Sequence, residues 1–369
     1  MKKRQKTLRK WLLRVGAGAL ALFLLLPINW GEVSRRAALV AVGLRQPIQA
    51  MQVAEHQFTA QQGEIVTPPT TQMAPWDYIP PVDTTVPDIP TAAVPLTAPP
   101  ITMISPPGEK GDGGKVIEKK MSTGDRSKNG IAIINRSGTA VDIAAALARE
   151  WNVTLTTTDA PQVLILHTHG SEGYMTYDAG YYNSGDRNRT EDHTKNVCAV
   201  GEAIRLVLAQ HGITAVHDTT VHDRPVYSGA YTRSAEAAKK WLEQYPTIQV
   251  VLDIHRDAIM EGDTNIVKPT AVVDGKKAAQ MMLITGVVST EGLPHPYWQE
   301  NLAFSTRLQQ AMDRVSPDLM RPLNTVASRY NQHLSAGWVL VEVGSEGNTV
   351  EEAVYAGQLL AQTLVMLLN

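Results

Sequence analysis

The sequence predicts an α/β domain, a mostly parallel sheet flanked by helices, at the end of a long N-terminal lead. Three observations predict it. From residue 129 onward, strand-like apolar runs alternate with helical stretches. The runs at 163–167, 248–254 and 338–343 are apolar almost throughout, as strands buried on both faces are. Each ends in residues that bind metals or move protons: His167, His169 and Glu172 after the first, His255 on the second, Glu342 on the third. In sheets of this kind, ligands gather beyond the carboxyl ends of the strands.

The 369 residues exceed what one such domain needs, and the surplus is at the front. Residues 1–10 form a basic tail. Residues 11–30 read as a membrane anchor, with the apolar run from Val15 to Ile28 between Trp11 and Trp30 and with Arg14 able to snorkel. A signal peptide has the same shape, but Pro27, Asn29, Trp30 and Glu32 make a poor cleavage site. The basic tail puts the N-terminus inside, so the rest is expected outside a cell membrane crossed once. Residues 31–66 read as a juxtamembrane segment. Residues 67–128 read as a disordered linker, because twelve prolines fall between 68 and 107 among Thr, Ala and Ser. Fifty such residues extend to on the order of 150 Å at roughly 3 Å each. Net charge is −2, with no basic block beyond the tail, which argues against nucleic acid. Cys198 is the single cysteine and suits a small core position on a helix.

The domain at 129–369 opens with a strand at 131–134 and a helix at 141–150. A strand at 163–167 leads to a helix at 194–211 with Val197, Val200, Ile204, Val207 and Leu208 on one face. A strand at 213–217, a helix at 229–245 and a strand at 248–254 follow. Next come a strand at 281–288, a helix at 297–315, a strand at 338–343 and a helix at 350–368. Thr349 and Glu352 have the spacing of a capping box for that last helix.

The chemistry concentrates at three strand ends. His169 and Glu172 stand as H-x-x-E in a loop past a strand, a spacing that turns both side chains onto one ion, with His167 two residues earlier. By themselves these are equally loop or core histidines; the combination with His255 favours a metal. Asp253 alternates with His255 and either accepts its second ring N–H or is a solvated strand residue. Arg256 either holds a substrate carbonyl or carboxylate or pairs with Glu342 or Asp257. Glu342 sits in an apolar strand, where an ionised carboxylate is costly without a partner, and suits a general base. Glu191 and His193 stand near a helix start and more often serve as caps. His217, His222, His295 and His333 have no partner at ligand spacing, and no G-x-S-x-G elbow occurs.

Several ordered motifs resemble the stage II sporulation protein P family of endospore-forming bacteria. They are Val163-Leu-Ile-Leu-His-Thr-His-Gly-Ser-Glu172, Asn196-Val-Cys-Ala-Val-Gly201, Tyr231-Thr-Arg-Ser234, Asp253-Ile-His-Arg-Asp-Ala258, Arg329-Tyr-Asn-Gln332, and Leu340-Val-Glu-Val-Gly344 with Asn348-Thr-Val-Glu-Glu-Ala353. The resemblance covers about 130–368. It implies a zinc-dependent N-acetylmuramoyl-L-alanine amidase fold, a peptidoglycan substrate, a second action on peptide cross-links, and engulfment beside stage II sporulation proteins D and M. It implies His169 and His255 as zinc ligands and Glu342 as the catalytic carboxylate. The wider zinc amidases have Gly-His-Gly-Gly and a Glu further downstream, whereas this chain has Thr168-His169-Gly170-Ser171-Glu172, with Glu191 and Asp192 at the downstream place. We take Glu172 as third ligand for its H-x-x-E spacing. The expected reaction is direct attack by water, with Glu342 as base and Arg256 orienting substrate. The alternatives are a wall-binding scaffold without activity and a zinc carboxypeptidase trimming stem peptides.

Overall fold

The computed structural model describes residues 101–368 other than 102, 107, 109, 110, 127–129, 152, 187, 188 and 288–291. The predicted tail, anchor and juxtamembrane segment lie outside them. Among the described residues, no helix is long and apolar enough to cross a membrane.

In chain order the elements are β1 (Gly114–Lys119), β2 (Ile133–Asn135), α1 (Ile143–Ala148), β3 (Thr158–Leu166), β4 (Tyr181–Tyr182), α2 (Val197–Gln210), β5 (Ile213–His217) and α3 (Ala230–Gln244). There follow β6 (Val250–Asp257), β7 (Met260–Glu261), β8 (Asn265–Val273), β9 (Lys276–Ala279), β10 (Met281–Gly286), α4 (Trp298–Val315), β11 (Leu323–Val326), β12 (Trp338–Ser345) and α5 (Val350–Leu368). The main sheet has seven strands in the order β2-β11-β10-β12-β6-β3-β5. Its pairs are parallel except β10 with β12. The carboxyl ends of β3, β6 and β12 therefore lie side by side along one edge.

Alternation along the central strands sends side chains to opposite faces. Val163, Ile165, Val250, Leu252, Ile254, Val339 and Val341 join the apolar faces of α2, α4 and α5 in the larger core. Leu164, Leu166, Val251 and Trp338 meet Ala238, Trp241 and Leu242 of α3 on the other side. The result is helix, sheet, helix. Both faces are covered, which is why these strands read as continuous apolar runs.

The capping box on α5 forms as its spacing predicts. Thr349 N–H donates to Glu352 Oε2 at 3.1 Å, and Glu352 N–H donates to Thr349 Oγ1 at 3.3 Å. Replacing Thr349 with Ala should cost about 1 kcal/mol in urea unfolding; an unchanged midpoint would show that the cap contributes nothing.

Two features depart from expectation. β1 lies inside the stretch read as linker, so folded structure begins before residue 129. A second, five-stranded sheet joins β4-β1-β8-β7, with β9 on β8. Its cluster of Met175, Tyr177, Tyr182 and Ile266 is small. Lys268 of β8 fastens this sheet to α5. Its ammonium is almost wholly buried, 2.7 Å from Glu352 and 2.8 Å from Asp178. Short strands with buried or paired lysines carry no plain alternation, so the sequence hides them; β11 is hidden by its length.

Candidate active site

Parallel pairing of β6 with β12 sets Glu342 directly opposite His255. Paired residues of neighbouring strands point to the same face, with backbones about 5 Å apart. That face is the one α3 covers, and the two side chains share it just beyond the helix's first turn. After Glu342 the strand bulges: Gly344 takes φ +65°, and a Cβ there would fall 2.5 Å from Asn348 Oδ1. Only glycine lets β12 turn at once into the α5 cap.

The loop after β3 brings His169 and Glu172 to the same place. The rings of His169 and His255 lie edge to face, 5.4 Å between centroids. His255 Nδ1 is 3.5 Å from Glu172 Oε2. Each imidazole is held at its other nitrogen. His169 Nε2 is 3.0 Å from Tyr227 Oη, and His255 Nε2 is 2.9 Å from Asp253 Oδ1, an ion-pair contact off the axis of a straight hydrogen bond. His255 Nδ1 is thereby turned toward Glu172, while His169 Nδ1 lies 3.9 Å from Asp223 Oδ2. His169 Nδ1 is buried without a hydrogen-bond partner. Arg256 N–H donates to Glu172 Oε2 at 3.1 Å, and the Arg189 guanidinium stands 3.6 Å from Glu172 Oε1 and 2.7 Å from Asp223.

The charges follow from burial and neighbours. Burial opposes a charged His255, yet Asp253 and Glu172 raise its pKa well above the ordinary value. Burial would raise Glu172, but His255, His169 and Arg189 hold it well below the ordinary carboxylate range. His169 is pushed down to about 4, chiefly by burial. Glu342 is raised well above the ordinary value by burial and then by Asp257. Its side chain is partly exposed, while Oε2 is sealed and has no hydrogen-bond partner. Two carboxylates in one site are thus driven in opposite directions, the pattern that separates a charge-holding group from an acid–base group.

The other predicted residues go elsewhere. His167 points to the opposite face: its Nδ1–H donates to Ile254 O at 3.0 Å, so Nε2 accepts from His217 Nε2 at 2.9 Å. His217 Nδ1 then meets Glu202 Oε2 at 3.3 Å. Gly201 gives this pair its room, since a Cβ there would fall 2.5 and 2.7 Å from the two Nε2 atoms. Glu191 is exposed beside Arg224, and Asp192 accepts from Thr194 and pairs with Lys195; neither joins Glu172. Arg256 departs from the substrate-orienting role expected of it. Its side chain is buried, donates to Gly173 O and Asp257 O, and lies 3.5 Å from Glu346, so it braces the loop that carries Glu172. The carboxylate of Asp257 pairs with Arg321 instead, at 2.8 Å. Cys198 is buried on α2.

His167 gives a pH prediction. Burial, with repulsion from His217, pushes its pKa from 6.5 down to about 3. The unfolded chain therefore takes up this proton first: stability is complete above pH 6.5 and declines as pH falls toward 3. The slope reaches about 1.4 kcal/mol per pH unit. Urea unfolding from pH 7 to pH 4 should show a shallower dependence in His167→Gln than in the unaltered chain; parallel curves would contradict this.

Several residues of the site carried no expected role: Tyr227 stacked on His169 at 4.4 Å between centroids, Arg189 4.5 Å from the Tyr227 ring centre, Tyr231 parallel to His255 at 6.5 Å, and Tyr330 at 5.5 Å from Tyr231. The motifs Tyr231–Ser234 and Arg329–Gln332 were the available signal for two of them.

Two imidazoles and a carboxylate, with one buried Nδ1 lacking a hydrogen-bond partner, are the donor set zinc takes in hydrolytic sites. Among the described residues no group of three or more His, Cys, Asp or Glu forms a ready-made cage. Ligation by His169, Glu172 and His255 therefore requires the three to draw in around the ion.

Two solved amidases are similar to part of this chain at low identity. The N-acetylmuramyl-L-alanine amidase Ami1 of Mycobacterium abscessus is 15% identical, covering 57% of this chain and 100% of its own, with a TM-score of 0.32. The CwlD amidase of Clostridioides difficile, solved in complex with the GerS lipoprotein, is 12% identical over 56% of this chain and 95% of its own, with a TM-score of 0.33. The stage II sporulation protein P of Bacillus subtilis (strain 168) is 28% identical over 217 residues, which are 56% of this chain and 51% of that protein. The chain thus spans about half the length of that curated relative. The model of the stage II sporulation protein P (SpoIIP) family matches residues 107–365, from just before β1 into α5 and through every residue of the site. The chain belongs to the stage II sporulation protein P family.

Proposed function

We propose that this protein is a zinc-dependent peptidoglycan hydrolase of sporulation, an N-acetylmuramoyl-L-alanine amidase cutting the amide between muramic acid and the stem peptide. The reading includes an anchor at 11–30 that holds the catalytic domain outside the membrane. The observation that carries the proposal is the convergence of His169, Glu172 and His255 with Glu342 on the adjoining strand. Zinc held by those three residues would supply Lewis-acid polarisation of the scissile amide and a water of lowered pKa.

The protein's own groups account for the rest. Asp253 and Tyr227 engage the Nε2 atoms of the two rings and leave both Nδ1 atoms without a hydrogen bond to them. Glu342 has the raised pKa of a group able both to take a proton from the attacking water and to return it to the leaving nitrogen. Asp257 sustains that shift while Arg321 balances its charge. Tyr227 stacks on the His169 ring, Tyr231 lies parallel to that of His255, and Tyr330 packs against Tyr231.

Digestion of purified peptidoglycan with the zinc-loaded chain, followed by mass spectrometry, tests the proposal. An amidase releases stem peptides with a free L-alanine amine and leaves lactyl carboxylates on the glycan. Loss of a single C-terminal residue would indicate a carboxypeptidase instead, and binding without any release would indicate a scaffold.

A further inference from the structure

Asp253 is wholly buried in the middle of the main sheet, and its register partners are Leu340 on one side and Leu166 on the other. Toward the interior of the sheet its neighbours on that face are Leu164, Leu166, Val251, Leu340 and Trp338, so packing on that side gives no reason for a carboxylate. Burying one costs several kcal/mol unless it is paired and hydrogen-bonded. Its charge partner is His255, and its remaining lone pairs are filled from a single direction. Thr168 donates twice, from its backbone N–H to Oδ1 at 2.9 Å and from its hydroxyl to Oδ2 at 2.7 Å.

The direction continues outward by elimination. Thr168 has spent its hydroxyl hydrogen, so in the 2.8 Å contact between Thr168 Oγ1 and Ser234 Oγ the serine donates, with Tyr231 O at 3.2 Å as the longer of the two acceptors facing its hydroxyl. Ser234 Oγ in turn accepts from Asn331 Nδ2 at 2.9 Å. The same amide also donates to Tyr231 O at 2.9 Å. Thr168, Ser234, Asp253 and Asn331 are all buried. Asn331 and its neighbour Tyr330 have φ +60° and +45°, a left-handed conformation uncommon outside glycine but tolerated by asparagine. The two bonds from the Asn331 amide hold that turn, and with it Tyr330, against Tyr231 and the site.

We infer that Asn331, Ser234 and Thr168 form a one-way hydrogen-bond relay that fixes the Asp253 carboxylate, whose 2.9 Å ion-pair contact with Nε2 sets the ring of His255 with Nδ1 toward Glu172. They are positioning residues: none touches the reacting atoms, and each acts through the next. The inference deepens the zinc-hydrolase reading and rests on it for its consequence, that the relay sets how tightly the site binds zinc. Its structural half, the ring orientation, stands without any metal.

The experiment uses the full chain in detergent, labelled with ¹⁵N-histidine, together with Thr168→Val, Thr168→Ser and Asn331→Ala. In metal-free protein, the unaltered chain and Thr168→Ser should show a solvent-protected proton on His255 Nε2. Thr168→Val and Asn331→Ala should lose that protection while keeping the far-UV dichroism of the fold. Zinc affinity, measured by chelator competition, should fall roughly 10–100-fold in both of these and be retained by the serine variant. An unchanged ring proton and unchanged affinity in Thr168→Val and Asn331→Ala would overturn the relay. If the unaltered chain binds no zinc, the hydrolase reading fails, and the ring proton alone decides for or against the relay.

Discussion

Glu342→Gln should abolish release of stem peptides from purified cell wall, lowering the rate by about 10²–10⁴-fold, while the fold and zinc content stay near those of the unaltered chain. Glutamine keeps the shape of the side chain and removes its capacity to cycle a proton. The expectation rests on the position of Glu342 opposite His255 in the register, and on a carboxylate raised by burial and by Asp257. Stability should be unharmed or slightly improved. Oε2 is sealed without a hydrogen-bond partner, so neutralising the carboxylate removes a charge that the fold does not pair. Undiminished cleavage by this variant would rule out the acid–base role.

His255→Ala should be the most damaging single change, and in two separable ways. It deletes a ligand, so zinc binding and hydrolysis should be lost together. It also leaves Glu172 and Asp253, both buried, without the positive ring that stands 3.5 Å and 2.9 Å from their oxygens. Breaking a buried pair in this way costs about 3–5 kcal/mol. The metal-free variant should therefore unfold at markedly lower urea than metal-free unaltered protein. His169→Ala makes the informative contrast. Its Nδ1 has no hydrogen-bond partner, only a 3.9 Å contact with Asp223, and its pKa is lowered by burial, so its loss should remove zinc with a much smaller stability penalty. Equal destabilisation by both substitutions would contradict the charge assignment.

Much of the fold was legible because the strands that build the site are also the most deeply buried. β5 and α5 lie where periodicity and capping place them, and β3, β6 and β12 differ from expectation only at their ends. Parity along a strand placed Asp253 and His255 on one face. It could not decide between His167 and His169, because the choice depends on where β3 ends: Leu166 is its last residue, so His167 still follows strand alternation and His169 does not. Glu172 was legible from H-x-x-E, and its distance from Glu191 and Asp192 is a matter of loop path. The side-chain contacts of Arg256 were not legible, because its partners in space, the Gly173 carbonyl and Glu346, are far from it in sequence. The tyrosines, Arg189, Ser234 and Asn331 come from loops and helix starts far apart in the chain. Nothing periodic marks them, and only folding brings them to the strand ends. The small sheet was invisible for a related reason: β4, β7 and β9 are short, and the charge on Lys268 of the longer β8 is satisfied by Glu352 and Asp178 at distant positions.

Zinc-edge X-ray absorption on the full chain, after removal of metal and titration with one equivalent of zinc, tests the central claim most directly. The account predicts a first shell of two imidazole nitrogens at about 2.0–2.1 Å and carboxylate oxygen at about 2.0–2.2 Å, with no such zinc shell retained by His255→Ala or His169→Ala. A shell unchanged by either substitution, or an unaltered chain that retains no zinc, would contradict it.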